Sequence, residues 1–142
     1  MAFDPLSDYP LGQRRPELVS TPSGLSLDQV TLDALRDGRL AWEDLRATPE
    51  TLRLQSDVAR AAGRAALAEN LVRAAELASL PEETVLSIYT ALRPHRSSAD
   101  ELSAWALRLE ELSAPSCAAF VREAAEVYDR RGLLAQSEHA TV

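Results

Sequence analysis

From Thr31 onward, apolar residues recur with the three- and four-residue spacing of helix faces, and the breaks between runs carry helix start and stop signals. Leu32 to Asp37 reads as a short helix closed at Gly38 by a left-handed cap, and Trp42 to Arg46 as a further turn. Thr48-Pro49-Glu50 supplies an N-cap, a proline at the first helical position and an acid on the helix dipole. The helix that follows carries Leu54, Val58, Ala61 and Ala62 on one face and ends at Gly63. The next carries Leu67, Leu71, Ala74, Ala75 and Ala78. Pro81 opens a third, with Val85, Ile88, Tyr89 and Leu92 inward, and Pro94 closes it. Ser98 and Glu101 form a capping box ahead of Leu102, Trp105, Ala106 and Leu109. Pro115 starts the last helix, which turns Cys117, Phe120, Val121, Ala124 and Tyr128 inward and ends at Gly132.

No strand pattern interrupts this series. Aromatic residues are 5% of the chain, and alanine is dense on the helix faces, so helices can approach closely. The pattern predicts an all-α fold, a compact bundle of about five main helices, with a helical domain over 31–134 and a frayed tail over 135–142. A half-match to a tetratricopeptide unit at Ala125, Tyr128 and Gly132 has no counterpart one period earlier.

Residues 1–30 break the pattern. Prolines at 5, 10, 16 and 22 forbid a long helix, yet Tyr9, Leu11, Leu18, Val19, Leu25 and Leu27 make the segment too apolar for a solvated tail. It reads as an extended partner-binding arm, ordered against a partner.

Composition adds exclusions. A chain of 142 residues suits one domain and can bury a sizeable core without metal or disulfide. The one cysteine cannot form an internal disulfide, which points to a reducing compartment. No apolar run is long enough to span a membrane, and the start of the chain lacks the basic and apolar regions of a secretory signal; the expected location is cytoplasmic. A net charge of −7 argues against nucleic-acid partners. Every basic side chain is arginine, a choice that suits bidentate protein contacts and that coding bias also produces.

No catalytic constellation emerges. His139 lies in the tail with no ligand at helical spacing, His95 stands between Pro94 and Arg96, and Cys117 sits on an apolar helix face. The carboxylates Glu82-Glu83, Glu110-Glu111, Glu123 and Glu126 fall on solvated faces. Neither a phosphate-binding glycine loop nor a nucleophile elbow is present. Catalytic, cofactor-binding and metal-binding residues are therefore all read as none. The cluster Arg93-Pro94-His95-Arg96-Ser97-Ser98 supports two readings: a grip for a partner carboxylate, or an arginine complementing the end of the preceding helix.

Several segments carry a family resemblance in order and spacing: Tyr9-Pro10-Leu11, Arg15-Pro16-Glu17, Thr48-Pro49-Glu50-Thr51-Leu52-Arg53-Leu54-Gln55, Ala62-Gly63-Arg64, Arg73-Ala74-Ala75-Glu76-Leu77, Ile88-Tyr89, Ala91-Leu92-Arg93-Pro94 with Arg96-Ser97, and Ala118-Ala119-Phe120-Val121-Arg122-Glu123-Ala124-Ala125. From about Tyr9 to Leu134 the chain resembles the small (gamma) subunit of adenosylcobalamin-dependent diol and glycerol dehydratases. The resemblance implies a helical, non-catalytic subunit packed on a large (alpha) subunit. With a medium (beta) subunit these form a dimer of heterotrimers that turns 1,2-diols into aldehydes by radical dehydration. It implies that adenosylcobalamin is bound by the other subunits and not by this chain. Tyr9, Pro10, Leu11, Arg15, Arg93 and Arg96 are the expected interface residues. Two departures stand out. Several relatives carry an aromatic at the position of His95. Microcompartment forms have a longer amphipathic N-terminal extension, where this chain has only eight residues before Tyr9, so enclosure in a microcompartment is not expected to be directed by this subunit. A free-standing helical adaptor is the alternative function.

Overall fold

A computed structural model describes residues 2–135. The helices are α1 (Leu11–Arg14), α2 (Leu32–Arg36), α3 (Pro49–Ala61), α4 (Ala65–Ala78), α5 (Glu82–Ala91), α6 (Ala99–Glu111) and α7 (Pro115–Arg131), with single 3₁₀ turns at Pro16–Leu18, Leu27–Gln29 and Trp42–Leu45. Among the described residues the only β-type pairing is an isolated bridge between Ser20 and Ser26. The fold is all-α. The described residues divide after Ala78 into two compact units, the first holding α1 to α4 and the second α5 to α7.

In the first unit α3 packs against α4. Thr48 caps α3 by accepting the Thr51 N–H, and Pro49 occupies its first turn. Apart from Glu76, the residues buried on these two helices are small. Ser56, Ala59, Ala68 and Ala75 are buried, and the Ser56 hydroxyl donates to the Ala68 carbonyl at 2.8 Å. The face expected from the larger residues is therefore corrected: Leu54 and Val58 are half-buried, Ala61 and Ala62 are exposed, and Leu67 is exposed. Close approach places the small side chains on the line of contact and leaves the large ones flanking it.

Residues 2–30 are not extended throughout. They form α1 and two of the 3₁₀ turns, and Leu11 is buried within this chain. Further along, Asp44 is buried beside the Ser20–Ser26 loop. Its carboxylate accepts from the Ser23 hydroxyl at 2.5 Å, the Ser23 N–H at 3.3 Å and the Ala41 N–H at 3.0 Å. These donors, the Ser23 hydroxyl first, hold the Asp44 carboxyl below its ordinary pKa. A depressed folded-state pKa stabilises the fold above the ordinary carboxylate value of about 4 and loses that contribution as pH falls through the folded-state value. Asp44→Asn is therefore expected to lower the thermal midpoint at neutral pH and to flatten its fall on acidification from pH 7 to pH 3. Parallel profiles for the two proteins would remove Asp44 from the acid response.

In the second unit α6 packs against α7, and the core comprises Ile88, Ala91, Leu102, Ala106, Leu109, Ala114, Cys117, Ala118 and Val121. The Ser98 hydroxyl accepts the Glu101 N–H while the Glu101 carboxylate accepts the Ser98 N–H at 2.8 Å, the expected capping box. Arg122 of α7 bridges to Glu110 of α6 at 2.7 Å, so Glu110 does more than solvate a face. Two residues expected inward point outward: Tyr89 and Phe120 are exposed.

The end of α6 carries a local strain. The Ser113 N–H donates to Glu110 and the Ala114 N–H to Leu109, the paired bonds of a Schellman cap, with Ser113 left-handed at φ 61°. The end of α3 has the same bonds from Gly63 and Arg64, but there glycine holds the left-handed position at φ 75°. A side chain in that region costs about 1–2 kcal/mol, partly offset in a glycine variant by its freer unfolded chain. Ser113→Gly is expected to stabilise the protein by up to about 1 kcal/mol, read as a rise in the urea midpoint. A fall in the midpoint would show that the serine hydroxyl contributes more than the strain removes.

Candidate functional site

Two exposed regions gather the residues singled out in the sequence, one in each unit. In the first unit, Leu6, Tyr9, Pro10 and Leu11 line a groove of about 620 Å³ whose other wall is Val58, Ala59, Ala62, Leu67 and Leu71 of α3 and α4. Leu11 is buried there, while Tyr9 is 62% exposed and Pro10 is exposed. Arg15 is tied into its own segment, with its guanidinium 2.7 Å from Asp8 and 2.5 Å from Glu17. The hydrogen bond from Arg15 lowers the Glu17 carboxyl below its ordinary pKa, and that bond raises Arg15 in turn. Of the four arm residues, Tyr9 and Pro10 present open surface, whereas Leu11 and Arg15 hold the segment in place.

In the second unit the loop from α5 to α6 is braced on every side. The buried Ser97 hydroxyl donates to the Ala91 carbonyl at 2.8 Å, and the Tyr128 hydroxyl donates to the Leu92 carbonyl. The His95 N–H donates to Leu133 at 2.7 Å, and Ser97 accepts from the Ala135 N–H at 2.9 Å. His95 itself is left-handed at φ 61°, a region that histidine enters more readily than most residues. Arg93 and Arg96 project from this loop and are exposed; no carboxylate among the described residues lies within ion-pair distance of either. The loop is thus a fixed mount for two guanidinium groups.

Sequence reasoning singled out the arginines with Ser97, and Tyr128 separately as an inward residue, but not the hydrogen bonds by which Ser97 and Tyr128 hold this loop. Proline at 94 was the visible signal. The hydrogen bonds from α7 and the residues after it link positions far apart in sequence, and no local pattern records them.

Among the described residues no group of three or more His, Cys, Asp or Glu side chains could hold a metal ion. Cys117 is buried in the α6–α7 core and His95 is exposed on the loop. His139 lies outside the described residues. No described helix is long and apolar enough to cross a membrane.

A family described as the dehydratase small subunit matches residues 5–135. This chain belongs to the dehydratase small-subunit family. Among its relatives, it is 50% identical over 127 residues to a propanediol dehydratase small subunit of Citrobacter freundii, covering 89% of this chain and 74% of the relative. It is likewise 50% identical over 127 residues to one of Salmonella typhimurium strain LT2, covering 89% and 73%. The range matched by the family, residues 5–135, includes both exposed regions described above.

Proposed function

We propose that this chain is the non-catalytic small subunit of a coenzyme B12-dependent diol or glycerol dehydratase, a hydro-lyase that converts propane-1,2-diol or glycerol to an aldehyde. The family match over residues 5–135 carries the reading. The names of the relatives supply the substrate class. In this reading the chain packs on a large subunit and joins a medium subunit in a dimer of heterotrimers. The substrate and adenosylcobalamin are held by those subunits, in the cytoplasm or inside a bacterial microcompartment. Tyr9, Pro10, Arg93 and Arg96 make contact across the interface, and Leu11 and Arg15 shape it from within. Support comes from the exposure of the first four and from the bracing of the arginine loop.

The test is co-expression with the large and medium subunits of a diol dehydratase from the same organism. The expected result is a complex of all three in fixed ratio that forms aldehyde from propane-1,2-diol when adenosylcobalamin is added. The isolated chain should form none. Failure of the three chains to co-purify, or sustained turnover by this chain alone, would overturn the reading.

A further inference from the structure

Helix α5 has two apolar faces. Ile88 and Ala91 are buried on one, with Val85 and Leu92 half-buried beside them. Leu86 and Tyr89 lie on the other and are 60% and 64% exposed. At about 100° per residue, Leu86, Tyr89, Thr90 and Arg93 fall within an arc of about 100° on the side away from Ile88. A helix packed only within its own unit carries polar residues there. Leu86 and Thr90 also line a groove of about 350 Å³ together with Arg96 and Ser97. Glu101 borders the same groove, but its carboxylate is engaged by the Ser98 N–H in the α6 cap. Two exposed leucine and tyrosine side chains thus run into the two arginines, on a chain whose net charge is −7.

We infer that the outer face of α5 together with the Arg93–Arg96 loop docks a segment of a partner subunit that sets an apolar side chain over Leu86 and Tyr89 and carboxylates against the two guanidinium groups. The inference rests on the reading of this chain as a subunit and adds to it a surface that includes Leu86 and Tyr89. Charge selects the occupant. A second copy of this chain meeting the face about a two-fold axis would bring a net charge of −7 against its own like. A nucleic acid or an anionic membrane would face Glu82 and Glu83 at the other end of the same helix and the acidic chain behind them. An acidic, apolar protein segment satisfies both halves of the strip.

Tyr89→Cys, made in the full chain and co-expressed with the large and medium subunits, tests this by maleimide labelling read at position 89 by peptide mass. Labelling in the complex is expected to be at least tenfold slower than in the chain alone, whereas an Arg130→Cys control should react equally in both. Hydrogen exchange of the wild-type complex provides a measurement free of any substitution: the peptide covering 82–96 should exchange more slowly than in the chain alone. Leu86→Asp should weaken assembly, and added salt should weaken the wild type. If the complex forms while position 89 reacts at the isolated-chain rate and 82–96 exchanges unchanged, the α5 surface is overturned and the subunit reading stands. If the wild-type chains do not assemble, the subunit reading falls and this inference with it.

Discussion

Leu109→Ala is expected to lower the stability of the chain by about 2–5 kcal/mol, the range for emptying a buried leucine site. Leu109 is 0% exposed and shares the inner face of α6 with Leu102, 1% exposed, and Ala106, 0% exposed. Its backbone is fixed as well as its side chain, because its carbonyl accepts the Ala114 N–H at 2.8 Å in the cap that turns the chain from α6 into α7. The buried residues of α7, the helix packed on α6, are themselves small: Cys117, Ala118 and Val121 reach less far into a vacated space than longer side chains would. The cavity therefore stays open, and the loss belongs in the upper part of the range. Two controls isolate the cause. Leu109→Met keeps most of the volume and should cost less than about 1.5 kcal/mol. Leu107→Ala removes the same atoms from a site on the same helix that is 58% exposed, and should stay within about 0.5 kcal/mol of wild type. Urea unfolding followed by far-ultraviolet circular dichroism reads all three. A loss at Leu109 no larger than that at Leu107 would mean that this site collapses around the missing side chain.

The contrast between α6 and α3 shows what the sequence discloses about packing. On α6 the large apolar residues define the buried face, and periodicity finds Leu102, Ala106 and Leu109 directly. On α3 and α4 the seam is Ser56, Ala59, Ala68 and Ala75, and periodicity of the large residues points to the flanks instead. The starts of α3, α6 and α7 and the end of α7 were legible, since Thr48-Pro49, Ser98 with Glu101, Pro115 and Gly132 each act through local chemistry at the helix end they mark. On α5 the inward reading of Tyr89 fails for a different reason. Its spacing from Val85 and Leu92 fits one helix face, yet Ile88 and Ala91 set the core side, and apolar residues occupy both. A sequence built to bury two faces, one in its own unit and one elsewhere, blurs the very periodicity used to read it. The arginine loop was legible as a motif, but its rigidity was not, because Tyr128, Leu133 and Ala135 reach it from the far end of the chain.

That rigidity sets the size of the effect expected at Arg93 and Arg96. Both guanidinium groups are exposed and have no ion pair with a described carboxylate, so neither contributes much to the fold by itself. Substituting either by alanine should change the stability of the isolated chain by no more than an ordinary surface change, about 0.5 kcal/mol, read from thermal melts. Assembly is different. The loop is already held by Ser97 and Tyr128, so little freedom is lost when it meets a partner carboxylate, and the bidentate geometry of arginine makes that pairing strong once water is excluded. Removing one member of such a pair leaves a buried carboxylate uncompensated and costs about 2–5 kcal/mol, which is roughly thirtyfold to several thousandfold in the dissociation constant. Arg93→Ala and Arg96→Ala are therefore expected to weaken association with the large and medium subunits by at least thirtyfold. Arg130→Ala, an exposed arginine at the end of α7, should leave it unchanged. Arg→Lys at either position should recover part of the loss, since a lysine restores the charge but not the two-point contact. The two losses need not add if both arginines grip one carboxylate, and the double variant measures that coupling. Pull-down at graded salt with purified subunits reads every term. Equal behaviour of the Arg93, Arg96 and Arg130 variants would make the loop a solvated helix end, with assembly carried by other surfaces.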